Sequence, residues 1–196
     1  MKIRLEPPNP AWTEAFERHR ERLLEALPIA GLFVDHIGST SLGDISAKPI
    51  IDILVGLPDP SPLDAVIDPL LAAGYTYVEA FTGAMPYRRF FVSLQALSAG
   101  PLPRVIGPAD ALAFGRDYDS IANIHVMERG TDHWRRHIAF RDYLRAHSEV
   151  RLAYESLKLR IAKMDFEDPL DYNSFKADFI REHQGKAMAW FLQRGQ

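Results

Sequence analysis

The sequence contains no cysteine, shows no excess of basic residues and has no long apolar run. Without cysteine there can be no disulfide, thiolate metal ligand or cysteine nucleophile, so any metal must bind to oxygen or imidazole. The formal net charge is -3, so we expect no long DNA or RNA as a partner. No window reaches the roughly 18 apolar residues of a membrane span, and the first residues lack a signal-peptide core. We therefore expect a cytoplasmic protein that does not enter the membrane.

The composition is that of an ordinary folded protein. Hydrophobic residues make up 47% of the 196 residues and charged residues 25%, which argues against long disordered segments. This length suffices for one domain with a substantial core. We expect a single domain over residues 1–196, and the sequence does not indicate its oligomeric state.

Residues 36–57, HIGSTSLGDISAKPIIDILVGL, place a carboxylate inside an apolar run. Residues 50–57 are short and rich in β-branched side chains, which predicts a buried central strand. An unpaired charge buried there would cost several kcal/mol. Asp52 should therefore be paired, bind a metal, or lie at the open end of the strand and face a pocket.

A Gly-Ser turn precedes this strand. Residues 32–37 are predicted to form the first strand, which ends at Gly38 and Ser39. In such a turn glycine lets the backbone approach a phosphate, while the serine and the exposed N–H groups donate hydrogen bonds. Ser39, Thr40 and Ser41 could also cap the short helix between the strands, and the two roles are compatible.

These segments resemble the nucleotidyltransferase superfamily, in which a Gly-Ser turn is followed by paired carboxylates on the next strand. More closely, the chain is similar to the GrpB family (UPF0157), which also occurs fused to dephospho-CoA kinase. The matching segments are HIGSTS at 36–41, AKPIIDILV at 47–55, IHV at 124–126, WRRH at 134–137 and FRDYLR at 140–145, running on to Tyr154 and Lys158.

The resemblance implies an α+β domain with a mixed, nucleotidyltransferase-like β-sheet and a C-terminal helical layer. It also implies a nucleotide or another small phosphorylated ligand, bound with Mg²⁺ on Asp52 beside Gly38 and Ser39. The activity it suggests is transfer of a nucleotidyl group to a small-molecule hydroxyl.

Position 54 limits that activity. The second carboxylate of the superfamily would fall there, on the same strand face as Asp52, but this chain has Leu54. Two-metal phosphoryl chemistry needs several acidic oxygens. Because the pair is incomplete, two alternatives stay open: a non-catalytic nucleotide-binding or interaction domain, and a different phosphate chemistry run by histidines. We expect position 54 to border solvent.

Histidines are the candidate partners of Asp52. Residues 123–127, NIHVM, predict a strand that presents His125 on the face opposite to its core side. His125 is the candidate base, ligand or phosphate contact, and His36 is a second candidate on the same grounds; either could instead be a structural histidine. Glu128 is an alternative proton acceptor.

Cations provide the expected ligand contacts. Arg88 and Arg89 lie on opposite faces of a strand predicted over 88–94, and one of them could reach a phosphate or Asp52 rather than solvent. Arg141, among aromatic residues of a predicted helix, could pin a ligand or a buried acid. Lys48, in the matching AKPIIDILV segment, completes the set.

The remaining elements predicted from the sequence surround this region. They are a helix over 10–27, a helix from Ser61 to Gly74 split at Pro69, a strand over 75–78, and three C-terminal helices over 132–147, from 148 onward and over 171–191. Residues 95–122 have weak periodicity and read either as a lid over the site or as an ordered surface insertion.

Overall fold

The computed structural model describes residues 3–58, 62–110, 112–164 and 174–194. Its α-helices are α1 (Ala11–Ala26), α2 (Ile67–Ala72), α3 (Asp132–Ala146), α4 (Ser148–Ile161) and α5 (Ala177–Arg194). Its strands are β1 (Phe33–Ile37), β2 (Ile51–Leu57), β3 (Thr76–Val78), β4 (Arg88–Ala96), β5 (Val105–Ile106) and β6 (Tyr118–Glu128).

The strands form one mixed sheet in the order β1-β2-β6-β4-β3-β5. β2 and β6 are parallel, and so are β3 and β5, whereas β1–β2, β4–β6 and β3–β4 are antiparallel. β2 and β6 lie inside the sheet, as their apolar sequences predicted. The expected α+β class with a mixed sheet is confirmed.

Each face of the central strands packs against helices. One face of β2 presents Ile53 and Val55 to the core that also contains Phe16 of α1. The other face presents Leu54, which packs with Ile138 of α3. Because side chains alternate along a strand, Asp52 shares this second face.

Three C-terminal helices cover that second face, as expected. Thr131 caps α3 by accepting a hydrogen bond from the backbone N–H of Trp134 at 3.3 Å. The ring of Tyr154 on α4 contacts Phe140 of α3 edge-on and stacks on Phe179 of α5. Aromatic packing therefore holds the three helices together.

Helix α4 is also tied to the loop that precedes β2. Arg151 forms an ion pair with Asp44 at 2.7 Å. The Glu155 carboxylate accepts a hydrogen bond from the Ser46 N–H at 2.6 Å, and Lys158 Nζ donates to the Ser46 carbonyl at 2.5 Å. Three side chains on successive turns of one helix thus fix a loop more than 100 residues away in the sequence.

Residues 95–122 are more regular than the sequence indicated. β4 continues to Ala96 and β6 begins at Tyr118, so both ends of this segment belong to the sheet. Between them, Ile106 and Ala113 pack with Val78 of β3. This packing agrees with an ordered surface insertion, and the described residues that line the pocket at Asp52 include none from this segment.

The other boundaries differ by small amounts. The split of the second predicted helix appears as a 3₁₀ turn at Leu63–Val66 followed by α2, with Pro69 in the first turn of α2. The predicted starts of this helix and of the last helix, and the acidic turn at 165–171, lie outside the described residues. Among the described helices, none is long and apolar enough to cross a membrane.

Candidate functional site

The Gly-Ser turn lies directly against Asp52. β1 and β2 are antiparallel with Ile37 opposite Asp52, so the turn that follows β1 begins beside the carboxylate. Gly38 has φ +71° and ψ -174°, a backbone region that is essentially restricted to glycine. A Cβ added at Gly38 would collide with the side chain of Asp52, Oδ2 included. Only glycine allows this approach.

Asn123, rather than His125, is the nearest neighbour of Asp52 on β6. The parallel register pairs Asp52 with Asn123 and Leu54 with His125. Asn123 Nδ2 donates a hydrogen bond to Asp52 Oδ1 at 2.9 Å, and Asn123 Oδ1 accepts one from Ser120 at 2.8 Å. The amide is thereby oriented with its donor toward the carboxylate.

Two lysines balance the charge of Asp52. Burial raises the pKa of Asp52, while the Asn123 hydrogen bond and the positive charges of Lys176 and Lys48 oppose the rise. Burial lowers the pKa of Lys176 to about 8, against the attraction of Asp52. It also lowers the pKa of Lys48, against Asp119 and Asp52. With Asp119 and Asp52 both near Lys48, two carboxylates and two lysines interact in this region.

A pocket of about 240 Å³ opens beside these groups. Its wall contains Gly38, Ser39 and Asp52 together with two histidines, His125 and His137. The remaining lining comes from the end of β1, the turn after it and the helical layer: Ile37, Leu42, Phe140, Arg141, Leu144, Tyr154, Ile180 and Gln184. The pocket therefore lies between the sheet and the C-terminal helices.

Tyr154 on α4 is one of the residues that line the pocket. Burial raises the pKa of Tyr154 to about 12, although a hydrogen bond with Ser39 opposes the rise and nearby Asp52 adds to it. The phenol is therefore neutral near pH 7. Because Ser39 both hydrogen-bonds to Tyr154 and lines the pocket, α4 orients the serine of the turn.

His125 sits between Arg88 and His137. Arg88 Nη1 lies 3.0 Å from His125 Nδ1, and because a guanidinium can only donate, Nδ1 must accept. The His137 ring centre is 5.6 Å away. Burial, with the nearby charges of His137, Arg88 and Arg136, lowers the pKa of His125 well below its usual value. His125 is therefore a neutral imidazole with its proton on Nε2.

His36 faces the opposite side of the sheet, so the prediction that it contacts the ligand does not fit its position. Its ring stacks on Phe16 of α1 at 4.7 Å, and its Nε2 lies 3.0 Å from Thr40 Oγ1. Thr40 in turn donates to the Ile50 carbonyl at 3.3 Å. Burial lowers the pKa of His36 to about 4. His36 and Thr40 therefore support the turn from behind.

The Ser41 hydroxyl donates to the Gly38 carbonyl at 2.7 Å, and the Ser41 carbonyl accepts a hydrogen bond from Arg145 Nη2 at 2.8 Å. Of the three hydroxyl residues predicted to contact phosphate, the structure brings only Ser39 into the pocket. The expected helix-capping role also differs, because the 3₁₀ turn at Ser39–Ser41 has no side-chain cap.

The predicted arginines separate into three settings. Arg88 reaches the pocket wall through His125, whereas Arg89 forms an ion pair with Asp64 at 2.6 Å, away from Asp52. Arg141 lines the pocket and pairs with two half-buried acids, Asp35 at 3.0 Å and Asp142 at 2.7 Å. These hydrogen bonds raise the pKa of Arg141 despite its burial.

Leu54 corrects an expectation, because it is fully buried rather than at the solvent border. Glu128 is also misplaced as a proton acceptor: it pairs with Leu57, five residues along β6 from Asn123, or about 16 Å at the usual rise of a strand. Among the described residues, no group of three or more acidic or histidine side chains could hold a metal ion. Asp52 is the carboxylate that the described residues bring to the pocket.

Sequence analysis assigned no role in the site to four residues at or next to the pocket. Asn123 could have been found from the strand pattern, since it shares the face of His125. Tyr154 and Lys158, four residues apart on one face of α4, were matched only as part of the family segment. Lys176 precedes the last helix and carries no sequence signal of its own. Long-range packing brings these residues to the site.

Comparisons with known proteins show which family the chain belongs to. A family model described as GrpB protein matches residues 2–186. A UPF0157 protein of Streptomyces coelicolor is 34% identical over 191 residues, which cover 96% of this chain and 86% of that protein. A dephospho-CoA kinase of Mycolicibacterium paratuberculosis is 32% identical over 197 residues, covering 96% of this chain and 46% of the kinase. The expected occurrence of this domain alongside a kinase is confirmed.

Among solved structures, the conserved protein GrpB from Enterococcus faecalis superposes with a TM-score of 0.74 at 26% identity, covering 96% of this chain and 99% of that one. The Cid1 poly(U) polymerase is a weaker structural match, with a TM-score of 0.48 at 12% identity over 79% of this chain and 41% of that one. The match over residues 2–186 and the relative at 34% identity show that the chain belongs to the GrpB family.

Proposed function

We propose that the protein binds a small phosphorylated ligand, a nucleotide included, in the pocket between the sheet and the C-terminal helices. The observation that carries the proposal is the contact of Gly38 with Asp52, which joins a phosphate-type turn and a carboxylate in one wall. The backbone of the turn and Ser39 would hold a phosphate. Lys48 and Lys176 supply the positive charge that attracts it.

Mg²⁺ fits this arrangement as an ion shared with the ligand. Magnesium in nucleotide sites usually takes one or two carboxylates plus phosphate oxygens and waters, and Asp52 supplies one carboxylate. Asn123 occupies Oδ1 as a donor, so Oδ2, beside Gly38, is the oxygen that would hold the ion. A second ion would need further acidic oxygens, which the described residues do not bring to Asp52.

Binding without nucleotidyl transfer is the function that the geometry supports best. The position of the superfamily's second carboxylate is occupied by buried Leu54, and His125 Nδ1 already accepts a hydrogen bond from Arg88. Neither residue can serve as the missing ligand or, at Nδ1, as a base. Transfer to a small-molecule hydroxyl is the second candidate. It would require a further carboxylate at Asp52, which the described residues do not bring to the pocket.

A thermal-shift screen tests binding. A nucleoside triphosphate should raise the melting temperature only when Mg²⁺ is present, because the ion joins the phosphates to Asp52. Asp52→Asn should abolish that shift while leaving stability unchanged or improved, since a carboxylate kept in an apolar strand for function is often costly. Asp64→Asn, which removes an exposed acid on the opposite side of the sheet, is the matched control and should keep the shift.

Equal shifts with and without Mg²⁺ would contradict the shared ion. Absence of any shift across the common nucleotides and inorganic polyphosphates would contradict the proposed binding. A pyrophosphate-release assay with candidate acceptor alcohols separates the two functions, because only the transferase releases pyrophosphate from the triphosphate.

A further inference from the structure

Two arginines beside the pocket have no acidic partner. Arg88 on β4 and Arg136 on α3 form no ion pair within 4.0 Å among the described residues. Arg88 instead meets His125, and Arg136 Nη2 donates to the Tyr87 hydroxyl at 3.1 Å. Burial lowers the pKa of Arg88, and the nearby charge of Arg136 lowers it further. Two like charges held together at a partly buried site are unfavourable unless an anion joins them.

Hydrogen-bond donors and acceptors at the same place are unused. His137 Nε2 and Arg136 Nε are buried, and neither atom has a hydrogen-bond partner among the residues that the structure describes. Most buried polar atoms in folded proteins form hydrogen bonds, so each buried atom without one needs an explanation. His137 lines the pocket together with His125. The unpaired atoms and the unpaired charges thus belong to one cluster: Arg88, His125, Arg136 and His137.

This cluster lies at a fixed distance from the Gly38 turn. His125 is two residues along β6 from Asn123, the neighbour of Asp52, which corresponds to about 7 Å at the rise of a strand. The pocket wall is continuous from Gly38 and Ser39 to the two histidines. A chain of two or three phosphates can extend over such a distance, whereas a single phosphate cannot occupy both ends.

We propose that Arg88, Arg136, His125 and His137 form a second anion subsite, which receives the far phosphate of a di- or triphosphate whose first phosphate lies at Gly38 and Ser39. This inference rests on the proposed function and specifies its ligand as a polyphosphate rather than a monophosphate. Guanidinium groups suit this role because their planar donors match phosphate oxygens. His137 would donate through Nε2, and Arg136 through Nε.

NMR of backbone amides and histidine rings can observe the two ends separately. Inorganic tripolyphosphate should shift the Gly38 amide and the ring nitrogens of His125 and His137, while His36, behind the sheet, should not respond. Orthophosphate should bind at least tenfold more weakly. Arg136→Gln should weaken tripolyphosphate binding at least tenfold and bring it close to that of orthophosphate.

Arg135→Gln is the matched control, because Arg135 is the preceding residue on α3 and already pairs with Asp132 at 3.3 Å. It should bind tripolyphosphate within twofold of wild type. His137→Gln provides a second test that retains the charge of both arginines, and it should weaken tripolyphosphate more than orthophosphate.

Two negative results are distinguishable. If tripolyphosphate shifts the Gly38 amide but leaves His125 and His137 unmoved, or if both variants bind like wild type, the second subsite is wrong and the proposed function stands. If no phosphate compound shifts the Gly38 amide, the proposed function is wrong and the polyphosphate assignment falls with it.

Discussion

Lys158 gives the sharpest test of the electrostatics under the pocket. Its side chain is 2% exposed, and its Nζ lies 4.9 Å from the centre of the Tyr154 ring. Burial and the charge of Lys176 lower the pKa of Lys158 from 10.5 to about 7, against the attraction of Glu155. The folded protein therefore holds a lysine that is only half charged near neutral pH.

The sign of the pH dependence follows from these two values. Between pH 7 and pH 10.5 the unfolded chain binds more protons at Lys158 than the folded protein, so this residue makes the free energy of unfolding rise with pH. Below pH 7 both states are protonated and the full cost of burying the charge is present. From pH 7 to pH 9 the linkage relation gives a gain of about 2 kcal/mol.

The assay is urea unfolding of wild type and Lys158→Met at pH 7 and pH 9. Other titrating groups act on both proteins, so the difference in free energy of unfolding should move by about 2 kcal/mol in favour of wild type on going to pH 9. Lys186→Met is the control, because Lys186 is exposed, pairs with Glu182, and has a raised pKa, so its difference should be flat. A flat difference for Lys158→Met would show that Lys158 is charged at both pH values and refute the lowered pKa.

Three further outcomes follow from the site. Gly38→Ala should abolish the Mg²⁺-dependent thermal shift with a nucleotide, because its methyl group would displace Asp52. Gly43 is also at positive φ but has open space around it, so Gly43→Ala should lower the free energy of unfolding by about 1 kcal/mol and keep the thermal shift. Loss of the shift in both variants would show that backbone strain alone is responsible. Leu54→Asp should lower the free energy of unfolding, measured in urea, by at least ~3 kcal/mol, because the new carboxylate has no partner. Leu54→Met should lower it by about 1.5 kcal/mol or less. A stable Leu54→Asp variant would show that position 54 borders solvent after all. Acid should destabilise the protein between pH 6.5 and pH 4, because burial lowers the pKa of His36 to about 4 and the unfolded chain takes up the proton first. His36→Gln should reduce that slope in urea unfolding at pH 7 and pH 5 without removing it, because burial also lowers the pKa of His19 and of His137 to about 4. An unchanged slope would exclude His36 as a source.

The fold could be predicted where local pattern and packing agree. The apolar run around Asp52 gave β2 within one residue, and Thr131 marked the start of α3. The beginning of β6 was missed by five residues, because Asp119 and Ser120 do not favour strands by themselves. They become strand through pairing with the end of β4, past an irregularity at Ser93. Pairing with a distant partner leaves no trace in a local pattern.

The site could be predicted at its centre and not at its edges. The link between Gly38 and Asp52 was readable because both belong to one family motif. His36 was misjudged because alternation fixes which residues share a strand face, but not which face meets the pocket. His125 lines the pocket as predicted, but alternation alone could not show that Asn123, on the same strand face, lies opposite Asp52, because a shift of two residues in the β2–β6 register preserves the pattern.

The three contacts from α4 to the loop at Asp44 and Ser46 affect how the protein unfolds. If α4 detached, the Ser46 amide would lose its hydrogen bond to Glu155 and the Ser46 carbonyl would lose its hydrogen bond from Lys158. The pocket would also lose Tyr154 from its lining. Such a half-open form has little to stabilise it, so we expect the sheet and the helical layer to melt together as one cooperative unit. Fragments that end before α4 should then fail to fold, even though they contain every strand of the sheet.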